Sequence, residues 1–445
     1  MLSLLALLPL GLPAQDWLVD SRPFKAEVRF TPQSISFGNG LISRTILLSP
    51  DAATVSLANQ GTGAEMIRAV KPEALLTIDG KEIRVGGLVG QPNLAYLRED
   101  WIRDLKADPS ALHFERVDSG KTEARMAWGR TLPSEGRPWP PPGVSVRLRF
   151  SNSEGLKVAV CYELYDGMPT YSKWLEVENQ TGKPFRLNSF TSEYLGMVEA
   201  ESVVDAHDRW ILPNISVFTD YQFGGMALNN SNRTIHWEPD PKYGTQVNYD
   251  LKTPCDLHVR PPLGPDVEVG PGKRFNSFRT FVLVHDSFDR ERKGLGVRKV
   301  YRSLAPWTTE SPLMMHLTSS DPKVVHTAID QAAECGFEMI ILSFGSGLNM
   351  EDTSEANIAK YRAFRDAAHA KGLRFGGYSL LASRRISDED DVINPKTGKV
   401  GGAIFGNSPC LGSKWGIRYF ESIKTFIEKT GFDLLEHDGN YPGDV

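Results

Sequence analysis

Cysteine is scarce in this sequence. The 445 residues contain four, Cys161, Cys255, Cys335 and Cys410, widely scattered, with no C-x-x-C and no Cys/His cluster at zinc spacing. That argues against a structural metal site, and no motif calls for a cofactor. An excess of basic charge is missing too. Fifty Lys and Arg stand against 55 Asp and Glu, a net charge of -5, so the electrostatic footprint of a nucleic-acid binder is absent. Long apolar runs are lacking beyond residues 1–16, and that run is too short to span a bilayer. No membrane span is expected. Residues 1–16, MLSLLALLPLGLPAQD, read as the apolar core of a secretory signal cut after Ala14, although no Lys or Arg precedes the run and Leu12 is large for its place. The expectation is a secreted or periplasmic protein.

What is present is ordinary for a globular chain: 40% hydrophobic and 24% charged residues exclude disordered, collagen-like and coiled-coil classes. The length suits two or three domains. Forty Gly and 29 Pro promise many turns and a large β component.

Two halves differ in period. From residue 20 to 290 short alternating runs are broken by Gly, Pro, Asn and Asp. In 143–150, Val144, Val146, Leu148 and Phe150 share one face, while Ser145, Arg147 and Arg149 share the other. Period two marks a sheet with one wet face, and a large β-sandwich is expected over 20–290. A linker is expected at 291–310. From 311 the pattern becomes strand then helix, with strands expected at 313–318, 337–343, 373–381 and 432–437. Asp321 and Pro322 open the first helix, whose buried stripe is Val324, Val325, Ala328, Ile329 and Ala332. The second helix shows Ile358, Tyr361, Phe364 and Ala368, and the third Ile417, Phe420, Ile423 and Ile427. Gly336, Gly372 and Gly431 end the helices in turn, each followed by an apolar residue that opens the next strand. Such repeats build either a doubly wound sheet or a (β/α)8 barrel. Gly345-Ser-Gly347 is one glycine short of a dinucleotide fingerprint, which favours the barrel. The fold class expected is therefore multidomain, an N-terminal β-sandwich followed by a (β/α)8 TIM barrel with about four strands within 311–445. Half a barrel leaves strand edges unpaired, so the chain is expected to be a fragment of a longer protein.

Barrel chemistry gathers at the C-terminal strand ends. Candidates there are Thr318, Ser319 and Asp321; Ser343, Asn349, Glu351 and Asp352; Tyr378, Ser379, Arg384 and Arg385; and Glu436, His437, Asp438 and Asn440. Glu436 and Asp438 are one residue apart, so on a strand they point to the same side. Two carboxylates at a strand end need a partner or a task. The structural alternative pairs Glu436 with an Arg or Lys inside the barrel and lets Asp438 cap the loop. Residues 383–413 make a long connection on the catalytic side, a lid or subsite wall, and their acidic run 388–391 reads as a solvated turn before a metal site. Cys410 reads first as a packed thiol and second as a substrate contact. Trp210 could stack on a sugar or pack in a core with equal ease.

The segment Phe432-Asp-Leu-Leu-Glu-His-Asp438 resembles the strand-four motif Phe-Asp-Tyr-Ile-Lys-Trp-Asp of retaining α-galactosidases of glycoside hydrolase family 36, in clan D. Tyr162-Glu-Leu-Tyr-Asp-Gly-Met-Pro-Thr-Tyr-Ser-Lys-Trp174 and Phe37-Gly-Asn-Gly-Leu-Ile-Ser-Arg-Thr45 resemble parts of that family's β-supersandwich. The resemblance implies a retaining exo-glycosidase acting on α-linked sugars of oligo- or polysaccharides, with Asp438 as nucleophile. The substrate-contact candidates are Glu436, His437, Asn440, Ser343, Tyr378 and Cys410 from their places around the strand ends, with Trp210 in a loop that in the resembled family reaches over the active site. The resemblance also puts the general acid on a later strand beyond residue 445, so residues 1–445 alone are expected to be inactive. Glu436 and His437 stand where the family has Lys and Trp, and Ser343-Phe-Gly-Ser-Gly347 replaces its Asp pair after strand two, so galactose is not implied as the sugar. The competing expectation is a carbohydrate-binding or scaffold protein that kept the architecture without the chemistry. A homo-oligomer is compatible with either.

Overall fold

The computed structural model describes residues 15–129, 138–200, 209–221, 233–309, 311–394, 397–402 and 406–439. The signal segment expected at 1–16 therefore lies almost wholly outside the described residues. Two compact units divide the chain, meeting in sequence between Thr309 and Glu310. Among the described residues no helix is long and apolar enough to cross a membrane.

The first unit is built of antiparallel sheets. One has five strands, from Glu27–Phe30 to Ala64–Glu65. Another has seven and is centred on Gly143–Ser151, Leu156–Tyr165 and Thr170–Asn179. Two four-stranded sheets and a two-stranded one complete it. In Gly143–Ser151 the period-two reading holds: Val146, Leu148 and Phe150 are buried, while Arg147 and Arg149 reach Glu176 and Asp118 outside, at 2.9 and 2.8 Å. Leu156–Tyr165 is buried at nine of its ten positions, because it lies inside the seven-stranded sheet and is covered on both faces. Ile35 and Phe37, Leu148 and Val160, Leu76 and Leu187, and Leu195 and Leu257 bring four sheets onto one apolar core. Its burial drives the packing.

The stretch 291–310, expected as a linker, holds a helix. Arg290–Leu304 is a helix capped by Asp289, whose side chain accepts from the Arg292 N–H, and a 3-10 turn, Pro306–Thr309, follows. Val300 and Leu304 are buried in a small core with Trp17 and Leu283. Gly296 faces Trp17, and a Cβ there would stand 3.5 Å from the ring, in ordinary contact.

In the second unit four strands, β1 (Met314–Leu317), β2 (Met339–Leu342), β3 (Arg374–Leu380) and β4 (Leu434–Asp438), pair in parallel in that order. Helices α1 (Pro322–Cys335), α2 (Glu355–Ala370) and α3 (Lys414–Thr430) connect them. Asp321 caps α1 through the N–H groups of Lys323 and Val324, and Gly336 ends it at φ +79°. Ile358, Tyr361, Phe364 and Ala368 are the buried stripe of α2, as their spacing predicts. Two stripes need correction. Val324 is exposed on α1. On α3, Ile423 is buried as expected, but Ile417 and Phe420 face solvent, and Gly416, Tyr419, Phe426 and Thr430 are buried instead. The aromatic cluster of Phe426 with Tyr361 and Phe432 sets this rotation, because burying those rings outweighs burying Ile417.

Candidate functional site

Register alone divides the second sheet into two faces. Met315, Ile340 and Phe375 are neighbours across the strands, and with Leu317, Leu342, Leu381 and Leu435 they join the core under the helices. His316, Ile341, Gly376 and Leu434 form the alternate row and point away from the helices. Continuing by two residues along this second face gives Tyr378 beside Glu436, then Leu380 beside Asp438. Ser343, just past β2, has the same parity.

Glu436 and Asp438 therefore share a face, as their spacing requires, and each has a different neighbour. The Tyr378 hydroxyl donates to Asp438 Oδ2 in a short hydrogen bond. Glu436 Oε2 lies 3.8 Å from His316 Nε2, and the other ring nitrogen of His316 is 3.2 Å from Ser343 Oγ. The Arg or Lys partner considered for Glu436 is replaced by a histidine. Among the described residues, Glu436 Oε2 is buried with no hydrogen-bond partner. A carboxylate oxygen held that way is an acceptor waiting for a donor.

His437 points to the helix side. Its Nε2 is 3.1 Å from the Tyr419 hydroxyl, which is 2.6 Å from Ser379 Oγ. Burial lowers the His437 pKa, with the Asp438 charge opposing, so the ring is neutral near pH 7. Burial also raises the Tyr419 pKa, against the Ser379 hydrogen bond. The polar chain thus ties the end of β4 to α3 without placing a net charge behind Asp438. Just past the strand, Leu381 N and Ala382 N donate to the Asp438 carbonyl at 2.7 and 3.0 Å. A side chain at Gly439, φ +150°, would stand 2.4 Å from Ala382 N, so glycine is required there.

The remaining candidates separate. Arg384 pairs with Glu351 at 2.6 Å and lies over the Trp415 ring. Asp390 accepts from the Trp415 N–H, and buried Asp391 from those of Val392 and Ser408, so two carboxylates of the acidic run hold their own loop together rather than making a solvated turn. Cys410 makes local backbone contacts: its N–H reaches the Asp390 carbonyl at 2.7 Å, and its own carbonyl accepts from Ser413 N. Trp210 belongs to the first unit and is 8% exposed, a packed ring rather than an open platform. Asn440 lies outside the described residues. His316 and Tyr419 were missed by sequence reasoning. His316 did leave a signal, as the one polar residue inside the apolar run 313–317.

No protein-family model matches the sequence, and no curated protein sequence does. Solved structures do match. An α-galactosidase from Lactobacillus brevis aligns over 94% of this chain and 64% of its own, at 12% identity and a TM-score of 0.54. The galactosidase domain of the α-galactosidase-sucrose kinase AgaSK aligns over 94% and 68%, at 9% identity and a TM-score of 0.55. A variant of the family 36 α-galactosidase AgaA from Geobacillus stearothermophilus, in complex with stachyose, aligns over 93% and 65%, at 10% identity and a TM-score of 0.53. The chain thus spans about two thirds of the length of these structures. Across both units, this chain has a glycoside hydrolase fold similar to that of the family 36 α-galactosidases.

Proposed function

We propose that the chain carries the nucleophile of a retaining exo-glycosidase acting on α-linked sugars of oligo- or polysaccharides, in an exported protein. One observation carries the reading: Asp438 ends a parallel strand on the face away from the helices, with its carboxylate oriented by the Tyr378 hydroxyl. In this reading the parallel sheet is the first half of a (β/α)8 barrel. The Asp438 carboxylate attacks the anomeric carbon as the glycosidic bond breaks, forming a glycosyl ester that water hydrolyses. Tyr378 fixes the carboxylate geometry and shares its charge. Glu436, with its unpartnered oxygen, accepts from a sugar hydroxyl beside the reacting carbon, and His316 and Ser343 border the same face. The acid that protonates the leaving oxygen must stand about 5 Å from the nucleophile. We place it outside residues 1–445, on a later strand.

The natural full-length protein, treated with an activated 2-fluoro α-glycoside, should accumulate a covalent adduct on the peptide holding Asp438, read by mass spectrometry. An adduct on Glu436, or turnover with inverted product, would overturn the assignment. The non-catalytic carbohydrate-binding reading draws on the Glu436 and His316 pair, which is built for hydrogen bonding. Sugar binding with no turnover of any activated glycoside would favour it.

A further inference from the structure

The first unit carries a cavity that no step of the proposed chemistry touches. Strand Ile215–Thr219 pairs with Thr280–Val284 so that Phe218 stands opposite Phe281, and both rings face one side of the sheet. The helix Arg290–Leu304 presents Tyr301 and Leu304 to the same cavity, and the turn after it adds Trp307. About 290 Å³ is left between them. Phe281 and Leu304 are buried, Phe218 meets Tyr301 edge-on with ring centroids 5.5 Å apart, and Tyr301 is 45% exposed.

Two charged side chains, Arg125 and Asp220, line this otherwise apolar space. Asp220 is held by the Arg279 N–H, which reaches its Oδ1 at 2.7 Å. Its Oδ2 lies 3.5 Å from Arg125 Nη1, an ion pair without a hydrogen bond: among the described residues Nη1 is buried and has no hydrogen-bond partner. The other guanidinium nitrogen donates to the Leu304 carbonyl at 2.7 Å, and the group lies over the Phe281 and Trp307 rings. Burial lowers the Arg125 pKa and raises that of Asp220, against their mutual attraction. The pair sets a donor beside an acceptor, and both keep bonding capacity.

We propose that this cavity is a non-catalytic binding site for one neutral pyranose ring of a glycan. An anion would suit Arg125 but meet Asp220, and a cation would do the reverse. A hydroxyl group both donates and accepts, so it suits the two together. The aromatic walls favour a ligand with an apolar C–H face, which a pyranose has and a linear polyol lacks. Pockets for small molecules start at about 300 Å³, so the space takes one sugar ring and not a chain of them. Such a site holds a glycan on the protein without breaking its bonds. It goes beyond the glycosidase reading and does not depend on Asp438.

The natural full-length protein labelled with 5-fluorotryptophan gives a fluorine resonance for each indole, and Trp307→Phe identifies that of Trp307. Methyl α-pyranosides of gluco, galacto and manno configuration are then titrated in. At least one should shift the Trp307 resonance saturably, with a Kd of about a millimolar, the scale for so small a ligand held by few contacts. Asp220→Asn, which turns an acceptor into a donor, should weaken that binding at least about tenfold. Tyr301→Ala, at an exposed position, should weaken it with melting unchanged, and neither variant should alter turnover of 4-nitrophenyl α-glycosides. A Trp307 resonance that no pyranoside moves at about 100 mM, a hundredfold above that Kd, would overturn the site. So would equal binding in Asp220→Asn, or a stronger response to inorganic phosphate or tetramethylammonium, which would mark a site for a charged group. Loss of turnover in Asp438→Asn with no Trp307 response would remove this site and leave the nucleophile standing; the converse would do the reverse.

Discussion

Both units contain a pair of carboxylates close to cationic or phenolic groups, and the two pairs are treated in opposite ways. In the first unit Glu73 and Glu193 are fully buried with Arg44 and Lys173. Arg44 and Lys173 each reach Glu193 at 2.7 Å, the Tyr171 hydroxyl donates to it at 2.9 Å, and Tyr162 and Thr54 donate to Glu73. Burial pushes the Glu193 pKa up, but Arg44 and Lys173 outweigh it and hold the carboxyl at about 2. In the second unit Glu436 and Asp438 are half-exposed, with His316 and Tyr378 among their neighbours. Two cations and several hydroxyls consume the acceptor capacity of the first pair, so it fastens sheets together. In the second pair Glu436 Oε2 keeps capacity for a ligand. Satisfaction by fixed cations marks a structural carboxylate; an unpartnered acceptor at a strand end, as at Glu436 Oε2, is open to a ligand.

That contrast can be broken in several ways. Lys173→Met strips a cation from a dry network and leaves negative charge under-compensated. It should cost about 3–5 kcal/mol of stability in denaturant melts of the first unit, and a loss below about 1 kcal/mol would show that the network fastens nothing. Asp438→Asn should do the reverse: melting unchanged, and turnover in the full-length protein down by at least about a thousandfold, or about 4 kcal/mol at the transition state.

A third test concerns acid. Burial, aided by Lys293 and opposed by Asp286, pulls the pKa of His285 down to about 4. The ring is 5% exposed, and its Nε2 is 2.7 Å from Ser216 Oγ. Because the folded pKa lies below the unfolded value of about 6.5, the unfolded chain takes up a proton that the folded one refuses. Stability is thus complete above about pH 6.5 and falls as pH drops toward 4, by at most about 3 kcal/mol from this residue. Urea melts between pH 7 and 4.5 should show the slope, and His285→Gln should reduce it, leaving the part due to His258, whose pKa burial also pulls down to about 4. Glu193 adds a separate loss at lower pH, below the ordinary carboxylate range, since its depressed pKa stabilises the fold only while it is ionised.

Smaller effects sharpen the comparison. Tyr378→Phe removes one charge-assisted hydrogen bond, about 2 kcal/mol, and should lower kcat some tenfold or more. It should also raise the acidic limb of the pH profile, because the Asp438 carboxylate loses a donor that favours its charged form. A fall in Tm with an unmoved pH profile would make Tyr378 merely structural. Glu436→Gln should act mostly on KM, by a few-fold. Should it abolish chemistry while Asp438→Asn leaves it near normal, the nucleophile is Glu436.

The sequence by itself determined what depends on neighbours along the chain. Asp321 and Gly336 bound α1, alternation in Gly143–Ser151 fixed its buried face, and a one-residue separation put Glu436 and Asp438 on the same side. Caps, αL glycines and side-chain periods act over a few residues, so they are readable locally. Only the tertiary structure decided the rest. Tyr378 meets Asp438 across 60 positions of chain, His316 reaches Glu436 across the sheet, and both contacts require the strand order and register. The rotation of α3 and the helix at Arg290–Leu304 belong to the same class: Phe426 is buried by Tyr361 and Phe432, and Val300 and Leu304 by Trp17 and Leu283. Hydrophobic burial rewards any close-packed partner without naming it in advance, so which polar groups it traps together is settled only when the layers close.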